Sequence, residues 1–534
     1  TEDNMKIEFV GAAKTVTGSS YIVKNENFTI MVDCGMFQGR RELKERNYLH
    51  LIYAPQEIDA LLVTHAHIDH SGLIPKLVKE GFNKPIFATS ATTDLLRIML
   101  PDSAHIQEMD AEFFTKRNKK LGREAVEPLY VQADAEEACK YLNAKDYGEI
   151  FDVVPGVKAR FRDAGHILGS AMIELWVEEN GITKKIVFSG DLGPRDQAII
   201  KNAEYIEDAD FLLVESTYGD RIHKSKGDTY AEFKNVINEA HNKKGNIVIP
   251  SFAVERTQEI IHTLSDLLKN GEIPLVPVYI DSPLAISATE IFRKHVECYD
   301  DDMRARILRG EDPLNFPSLT YTKTTAESKE LNKKAKGAII ISASGMCTAG
   351  RIKYHLQNNL YKKEASVVFV GYQAEGTLGR SLVEGAKRVK LYGEEVSVNA
   401  KIYTLGGFSG HADKDGLLEW VSKFKNKNMK VFVVHGEEKS SSNLASLISE
   451  NFGFKTTVPG WGDIVDLNTF ETTRMSYGIV PENIRTIDDD VEQIDVLVEA
   501  FIAKYQKAKN DKNMALMDRV GNDIEDLKAM IKRV

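Results

Sequence analysis

The run Thr64-His65-Ala66-His67-Ile68-Asp69-His70 packs three histidines and an aspartate into six positions. Neutral imidazoles and carboxylates are the donors that suit zinc and similar divalent ions. His65 and His67, two residues apart, project to one side of an extended chain. Asp69 and His70, on the turn that follows, can face a second point nearby. Such a cluster is costly to desolvate without a metal. Four ligands do not complete two metal sites. Three further segments place a ligand type at a strand end beside glycine: Asp163-Ala-Gly-His166-Ile-Leu-Gly-Ser170, Phe188-Ser-Gly-Asp191-Leu-Gly193 and Val434-His435-Gly436-Glu437. Each alone reads as a solvated loop; their shared context points to a common site.

The elements that must position these residues show as alternation. The apolar run Ala60–Val63 precedes the cluster and Ser71-Gly72-Leu73-Ile74-Pro75 follows it, so the cluster falls where a strand ends and a helix begins. Short β-branched and aromatic runs fill the first half, among them Ile7–Val10, Thr29–Val32, Pro85–Ala88, Val157–Phe161 and Lys185–Phe188. Helices are expected at Ile74–Lys79, Ala91–Met99 and Ala135–Leu142. From Asp210 strands and helices alternate regularly, the pattern of a parallel sheet with covering helices. Short strands return after about 400. In the last fifty residues, Ile494, Leu497, Val498, Phe501 and Ile502, then Leu516, Val520, Ile524 and Leu527, recur at helical spacing and predict a helical hairpin.

The HxHxDH run, the loop histidine and the strand-end aspartate resemble the metallo-β-lactamase superfamily. Glu215-Ser-Thr-Tyr-Gly219, Phe408-Ser-Gly-His411-Ala-Asp413 and Val434-His435-Gly436-Glu437 look like the three motifs of its β-CASP branch, which processes nucleic acids. The likeness is greatest to prokaryotic homologues of the endonuclease subunit of the cleavage and polyadenylation specificity factor. It implies an α/β chain: an αββα sandwich core in two parts, 1–208 and 400–470, an inserted parallel-sheet αβ domain over 209–399, and a helical extension over 471–534. It implies that His65, His67 and His166 bind one metal, that Asp69, His70 and His435 bind another, and that Asp191 bridges them. Asp33, in Met31-Val-Asp-Cys-Gly35, matches an early-motif aspartate that orients ligand histidines. The cofactors implied are two divalent ions, Zn²⁺ first, with Mn²⁺ or Fe²⁺ compatible with the same donors. One residue departs from the family pattern: Glu255 stands where glycine is expected before Arg256.

Two ions about 3.5–4 Å apart hold a hydroxide at neutral pH and neutralise phosphate oxygens as charge develops. The leaving ribose oxygen then needs a proton. His411 is the expected acid and Glu215 its carboxylate partner, with Asp69 as the third catalytic residue. Phosphate contacts are expected from Ser251, Arg256, Ser282, Ser342, Ser344, the backbone of Gly345, Arg351 and His355. These fall at or just past predicted strand ends, where open α/β sheets bind ligands, or on the helix that follows. The basic runs Arg40-Arg41, Lys116–Arg123 and Lys387–Lys390 read either as RNA guides or as solvated faces.

The reaction expected is hydrolysis of single-stranded RNA to a 3′-hydroxyl and a 5′-phosphate, endonucleolytic, with 5′ exonuclease action also open. The alternative is a small-molecule ester, thioester or phosphodiester hydrolase of the same superfamily. The αβ insertion between Asp191 and His435 argues against it, because a small ester needs no such lid. A non-catalytic RNA-binding relative would have lost ligands, and all seven are present.

Composition bounds the rest. The 534 residues carry a net charge of −10, with 43% hydrophobic and 28% charged residues, ordinary for a globular protein. No apolar run of about 18 residues occurs, so no membrane span is expected. The polar start does not read as a secretory signal. Cys34, Cys139, Cys298 and Cys347 lie far apart with no CxxC pair, which predicts reduced thiols and a cytoplasmic location. The acidic balance argues against a broad basic surface and for contacts confined to a channel. The apolar stripes of the extension fit either a homodimer contact or packing on the core.

Overall fold

The computed structural model describes residues 4–49, 53–120, 122, 124–179 and 181–474. Beyond 474 the helical extension expected over 471–534, with the homodimer contact or core packing open for it, lies outside the described residues. Two β-sheets stack face to face. The first has eight strands, in the order Thr472–Arg474, Asp463–Asp466, Lys6–Phe9, Tyr21–Lys24, Thr29–Val32, Ala60–Leu62, Ile86–Thr89, Leu142–Lys145. The second has seven: Lys455–Thr457, Lys430–Val434, Phe211–Glu215, Ile182–Phe188, Ala171–Glu179, Val157–Asp163, Ile150–Val154.

Alternation decides which face is buried. In Val157–Asp163, every second side chain is buried. Phe9, Tyr21, Val32 and Leu62 of the first sheet meet Phe161, Ile173, Leu175, Phe188 and Phe432 of the second in one apolar core. Each such side chain contributes about 1.5–3 kcal/mol on leaving water. The outer face of the second sheet, with Leu212, Val214, Val431 and Val433, is covered by helices Lys414–Val421 and Glu438–Phe452.

The inserted sheet is different in kind. Its six strands run Leu319–Tyr321, Val278–Ile280, Ile339–Ser342, Ile247–Pro250, Ser366–Phe369, Lys401–Thr404, all parallel. Ile247–Pro250 and Ile339–Ser342 are buried at every position, which is why they read as unbroken apolar runs.

Sheet membership shifts the expected boundaries. Phe211–Glu215 pairs with Ile182–Phe188 and with Lys430–Val434, so it belongs to the core, past the 208/209 boundary. Lys401–Thr404 pairs with Ser366–Phe369, so it belongs to the insertion, past 399/400. Thr472–Arg474 pairs with Asp463–Asp466 and carries the core past 470. The core and the insertion dock where Asp94, on helix Ser90–Lys120, accepts from His295 Nε2 at 2.9 Å and from Lys294.

Candidate metal centre

The ligands gather where the strands of both core sheets end. Thr29–Val32 ends at Asp33, which takes a φ of +58°, a left-handed geometry that aspartate tolerates better than bulky residues. The turn aims its carboxylate back into the molecule. Asp33 accepts the Thr64 amide at 2.8 Å, the Thr64 hydroxyl at 2.8 Å and His70 Nδ1 at 2.7 Å. With Nδ1 so engaged, His70 presents Nε2 to the centre. His166 is fixed in the same way, its Nδ1 donating to the Gly410 carbonyl at 2.7 Å. The short loop around it is pinned throughout. Ser170 Oγ accepts the His166 and Ile167 amides, and Thr89 and Thr92 donate to the Gly169 carbonyl.

Glu255 explains its own departure from the expected glycine. It takes a φ of +70°, and the Arg256 amide bonds the Val254 carbonyl at 3.0 Å, closing a three-residue turn. A glycine would adopt that geometry freely. The glutamate instead uses Oε2 to accept the Leu168 amide at 2.9 Å, tying the insertion to the loop that carries His166. Burial pushes its carboxyl up to about 7.

Two donor sets result. His65, His67, His166 and Asp191 each offer an atom, all within 4.8 Å of one another; so do Asp69, His70 and His435. In the first set, His67 Nδ1 lies 3.2 Å from His65 Nε2 and 3.1 Å from His166 Nε2. Asp191 Oδ2 lies 3.5 Å from His65 Nε2 and 3.6 Å from His166 Nε2. In the second, His70 Nε2 lies 3.1 Å from His435 Nε2, which lies 3.6 Å from Asp69 Oδ2. The other oxygen of Asp191, Oδ1, lies 3.3 Å from His70 Nε2 and 3.4 Å from His435 Nδ1. One carboxylate thus addresses both sets.

The donors fit a divalent ion. A tetrahedral ion with bonds of about 2.0–2.1 Å spaces its ligand atoms about 3.3 Å apart, the spacing found here. Asp191 Oδ1, which faces the donors, is buried with no hydrogen-bond partner. Burial holds His65 and His166 well below the usual imidazole range and His67 at about 4, so all three are neutral donors at pH 7. Burial alone would raise Asp191, but His435, His70 and His411 outweigh it and hold the carboxyl well below the usual range. The cluster is therefore built to hold divalent metal. Asp33→Ala leaves His70 Nδ1 and the Thr64 amide without their acceptor. It is expected to weaken metal affinity by about 10–100-fold. Metal content after dialysis against a graded chelator checks this, and unchanged retention would count against the orienting role.

His411 sits beside the ligands without joining either donor set. Its Nδ1 lies 3.1 Å and 3.3 Å from the two oxygens of Glu215 and 3.9 Å from Asp191 Oδ2. Glu215, fully buried, also accepts the Leu192 amide at 2.7 Å and the Thr217 amide at 3.2 Å. Burial lowers the His411 imidazole, but Glu215 and Asp191 prevail and push it up to about 9. Its side chain is 18% exposed, open enough to meet a substrate.

Several neighbours were not singled out in the sequence. His223 bonds the His411 carbonyl at 3.0 Å through Nε2. Tyr218 packs on His223 at 4.5 Å between ring centroids and on Tyr372 at 5.9 Å. Phe252 lies 6.0 Å from the His67 ring. Only Tyr218 carried a signal, since it lies in the Glu215–Gly219 motif.

The expected phosphate contacts divide. Arg256 is beside the centre: a Cβ on Gly410 would lie 2.9 Å from its Nη2 and 3.2 Å from the His166 ring. It pairs with Glu259, and burial lowers its guanidinium to about 10. Gly345 packs on Phe252, and Ser344 Oγ accepts the Thr348 amide at 3.0 Å in the adjoining turn. The other five do not form an open phosphate seat. Ser251 Oγ bonds Thr257 Oγ1, Ser282 Oγ caps helix Pro283–Lys294, and Ser342 Oγ donates to the Asp281 carbonyl. Arg351 Nη1 and His355 Nε2 each donate to the Asp281 carboxylate at 2.6 Å, as does Ser328 Oγ. Their polar atoms are used inside the insertion because Asp281 is itself fully buried and needs donors.

That network makes a separate prediction. Asp281→Ala strands the buried His355 imidazole and takes the carboxylate from the part-buried Arg351 guanidinium, and is expected to cost about 3–5 kcal/mol in urea unfolding. Burial would raise the Asp281 carboxyl, but His355, Ser328 and Arg351 together hold it below the usual range. Its stabilisation is therefore full above about pH 4 and is lost below that as the carboxyl protonates. A cost under 1 kcal/mol at pH 7, or one unchanged at low pH, would contradict this account.

Comparison with known proteins agrees with the geometry. Three family profiles match: the metallo-beta-lactamase superfamily over residues 13–97, the Beta-Casp domain over 257–382, and the Zn-dependent metallo-hydrolase RNA specificity domain over 395–459. Ribonuclease TTHA0252 of Thermus thermophilus is 36% identical over 445 residues, 83% of this chain and 96% of that one. Transcription termination factor FttA of Thermococcus kodakarensis is 31% identical over 480 residues, 87% of this chain and 71% of that one. FttA of Methanocaldococcus jannaschii is 29% identical over 464 residues, covering 85% and 70%. With seven histidine and aspartate donors gathered in two sets and the family profiles matched on both sides of Glu215, the chain belongs to the β-CASP branch of the metallo-β-lactamase superfamily of hydrolases.

Proposed function

We propose that this protein is a metal-dependent ribonuclease that hydrolyses phosphodiester bonds in single-stranded RNA. The observation that carries the reading is the His411–Glu215 pair, held 3.9 Å from the carboxylate that addresses both donor sets. A phosphodiester with a ribose leaving group needs both a centre for its negative charge and a proton donor beside it. The relative named as a ribonuclease and the matched RNA specificity domain support RNA as the substrate.

His65, His67, His166 and Asp191 would hold one divalent ion, and Asp69, His70, His435 and Asp191 the other, with Zn²⁺ first and Mn²⁺ or Fe²⁺ compatible. Such ions supply Lewis acidity at the phosphate and lower the pKa of water. The protein does the rest. Asp33 and the Gly410 carbonyl hold His70 and His166 in the required tautomers. Glu215 fixes His411 through Nδ1, leaving Nε2 to protonate the departing 3′ oxygen. Phe252 and Tyr218 screen the site from bulk water. The products are a 3′-hydroxyl and a 5′-phosphate. Endonucleolytic cutting, with 5′ exonuclease action as a second mode, belongs to the same proposal. So does a cytoplasmic location, which the four unpaired cysteines support. No described helix is long and apolar enough to cross a membrane.

The test is cleavage of labelled single-stranded RNA by chelator-stripped protein reloaded with Zn²⁺ or Mn²⁺. Substrates bearing 5′-hydroxyl, 5′-monophosphate and 5′-triphosphate ends separate the two modes. Intact RNA under every metal would overturn the proposal.

A further inference from the structure

Away from the metal centre, two tyrosines stand open to solvent in an arrangement that folding does not require. Strands Arg388–Leu391 and Glu394–Ser397 form a hairpin with Leu391 opposite Glu394, so Tyr392 and Gly393 are its two-residue turn. Their φ values are +51° and +88°. A turn with both φ positive favours Asn-Gly, because a bulky side chain in the first position is strained. Tyrosine stands there nonetheless, 39% exposed. Its ring stacks on that of Tyr354, 50% exposed, on helix Ile352–Asn359, with centroids 4.5 Å apart and planes at 22°. The Lys353 ammonium lies 4.9 Å from the centre of the Tyr392 ring.

This pair faces the core. Asp110, on helix Ser90–Lys120, lies within electrostatic range of Lys44, Lys353, Tyr48 and Tyr392. Lys44 belongs to helix Arg41–Arg46, and Tyr48, 59% exposed, follows it. The basic run Lys387–Lys390 lies on the same hairpin as Tyr392. A chain of contacts leads inward. Arg40, next to Lys44's helix, pairs with Glu375 at 2.5 Å; Tyr372, in the same loop as Glu375, bonds Glu437, two residues past His435.

We propose that Tyr354 and Tyr392 form a stacking platform for a base of single-stranded RNA at the mouth between core and insertion, with Lys44, Lys353 and Lys390 along its phosphates. The proposal rests on the ribonuclease reading. Ring faces accept any base, and a few lysines suffice to track the backbone. The surface therefore commits to a flexible polyanion with exposed rings, which neither a duplex nor an acidic peptide supplies. It also reconciles RNA binding with a net charge of −10, because only a strip needs to be basic.

The experiment measures binding of a long and a very short single-stranded RNA to metal-loaded protein in a His411→Ala background, where the RNA survives. Tyr354→Ala is expected to weaken the long RNA by about tenfold and the short one hardly at all, while Tyr354→Trp retains affinity. Hydrolysis of bis(p-nitrophenyl) phosphate, with His411 intact, reads the metal centre alone. Equal affinity of Tyr354→Ala and the parent for long RNA overturns the platform, even if the enzyme cuts RNA. A matching fall in bis(p-nitrophenyl) phosphate hydrolysis overturns it too, since the effect would then be structural. Platform-dependent binding without any cleavage by the enzyme would leave the platform standing and sink the ribonuclease reading.

Discussion

Replacing His411 with alanine lowers RNA hydrolysis by about 10²–10⁴-fold and leaves the metal content unchanged. His411 is outside both donor sets, so the ions keep their ligands. What is lost is the proton for the leaving ribose oxygen, a poor leaving group at neutral pH. The same variant should lose far less on an aryl phosphodiester, whose phenolate departs unprotonated. Comparing kcat on RNA and on bis(p-nitrophenyl) phosphate isolates that role. A structural defect would depress both equally, because the His411 ring packs on His166 at 4.6 Å between centroids. Glu215→Gln should follow His411→Ala in direction with a smaller loss, since an amide oxygen still receives Nδ1 but carries no charge to favour the imidazolium. Equal losses on both substrates, or loss of metal, would refute the assignment.

Asp191→Ala is expected to empty both metal positions together and to leave no hydrolysis above background. Both oxygens of this carboxylate are committed, Oδ2 toward His65 and His166, Oδ1 toward His70 and His435. Its removal would take a donor from each set and a negative charge from between them. The histidines that remain bring no negative charge to offset that of bound cations. Metal analysis should fall from about two ions per chain to less than one. The stabilisation that saturating metal gives the wild type, about 4 kcal/mol at a thousandfold excess over Kd, should vanish from its thermal unfolding. A variant that retains one tightly held ion would show that the bridge is dispensable to one set.

Much of this centre was readable before any fold was known, and the reasons are local. His65, His67, Asp69 and His70 crowd one strand end, and donors so close together, two of them buried, point to a shared ion. The strands that carry them read clearly because Ala60–Leu62 and Phe211–Glu215 are buried at every position. Elements with weaker patterns were missed or misdrawn. The helix expected over Ala91–Met99 runs from Ser90 to Lys120, through Pro101, and its second half is mostly exposed with no apolar stripe to reveal it. Leu142, expected to end the helix Ala135–Leu142, instead opens Leu142–Lys145, a partly exposed edge strand whose shape comes from pairing with Ile86–Thr89. Arg351 and His355 were read as phosphate contacts because both are polar and share one helical face. What turned them inward is Asp281, seventy residues away in sequence, whose buried charge no local pattern announces. Glu255 is the reverse case: a departure visible in sequence whose meaning depended on the Leu168 amide across the domain junction.

The pairing of Phe211–Glu215 with Lys430–Val434, and of Lys6–Phe9 with Asp463–Asp466, has a consequence for the order in which the protein is made. The chain leaves the ribosome from its first residue, and both pairings wait for strands that follow the whole insertion. At roughly 5–20 residues per second, the insertion alone takes on the order of 10–40 s to synthesise. Throughout that interval neither His411 nor His435 exists, so one donor set is short of a ligand and the acid is missing. The centre is completed only after the insertion has been made. Moving the last core strands to the front of the chain by circular permutation would remove that delay.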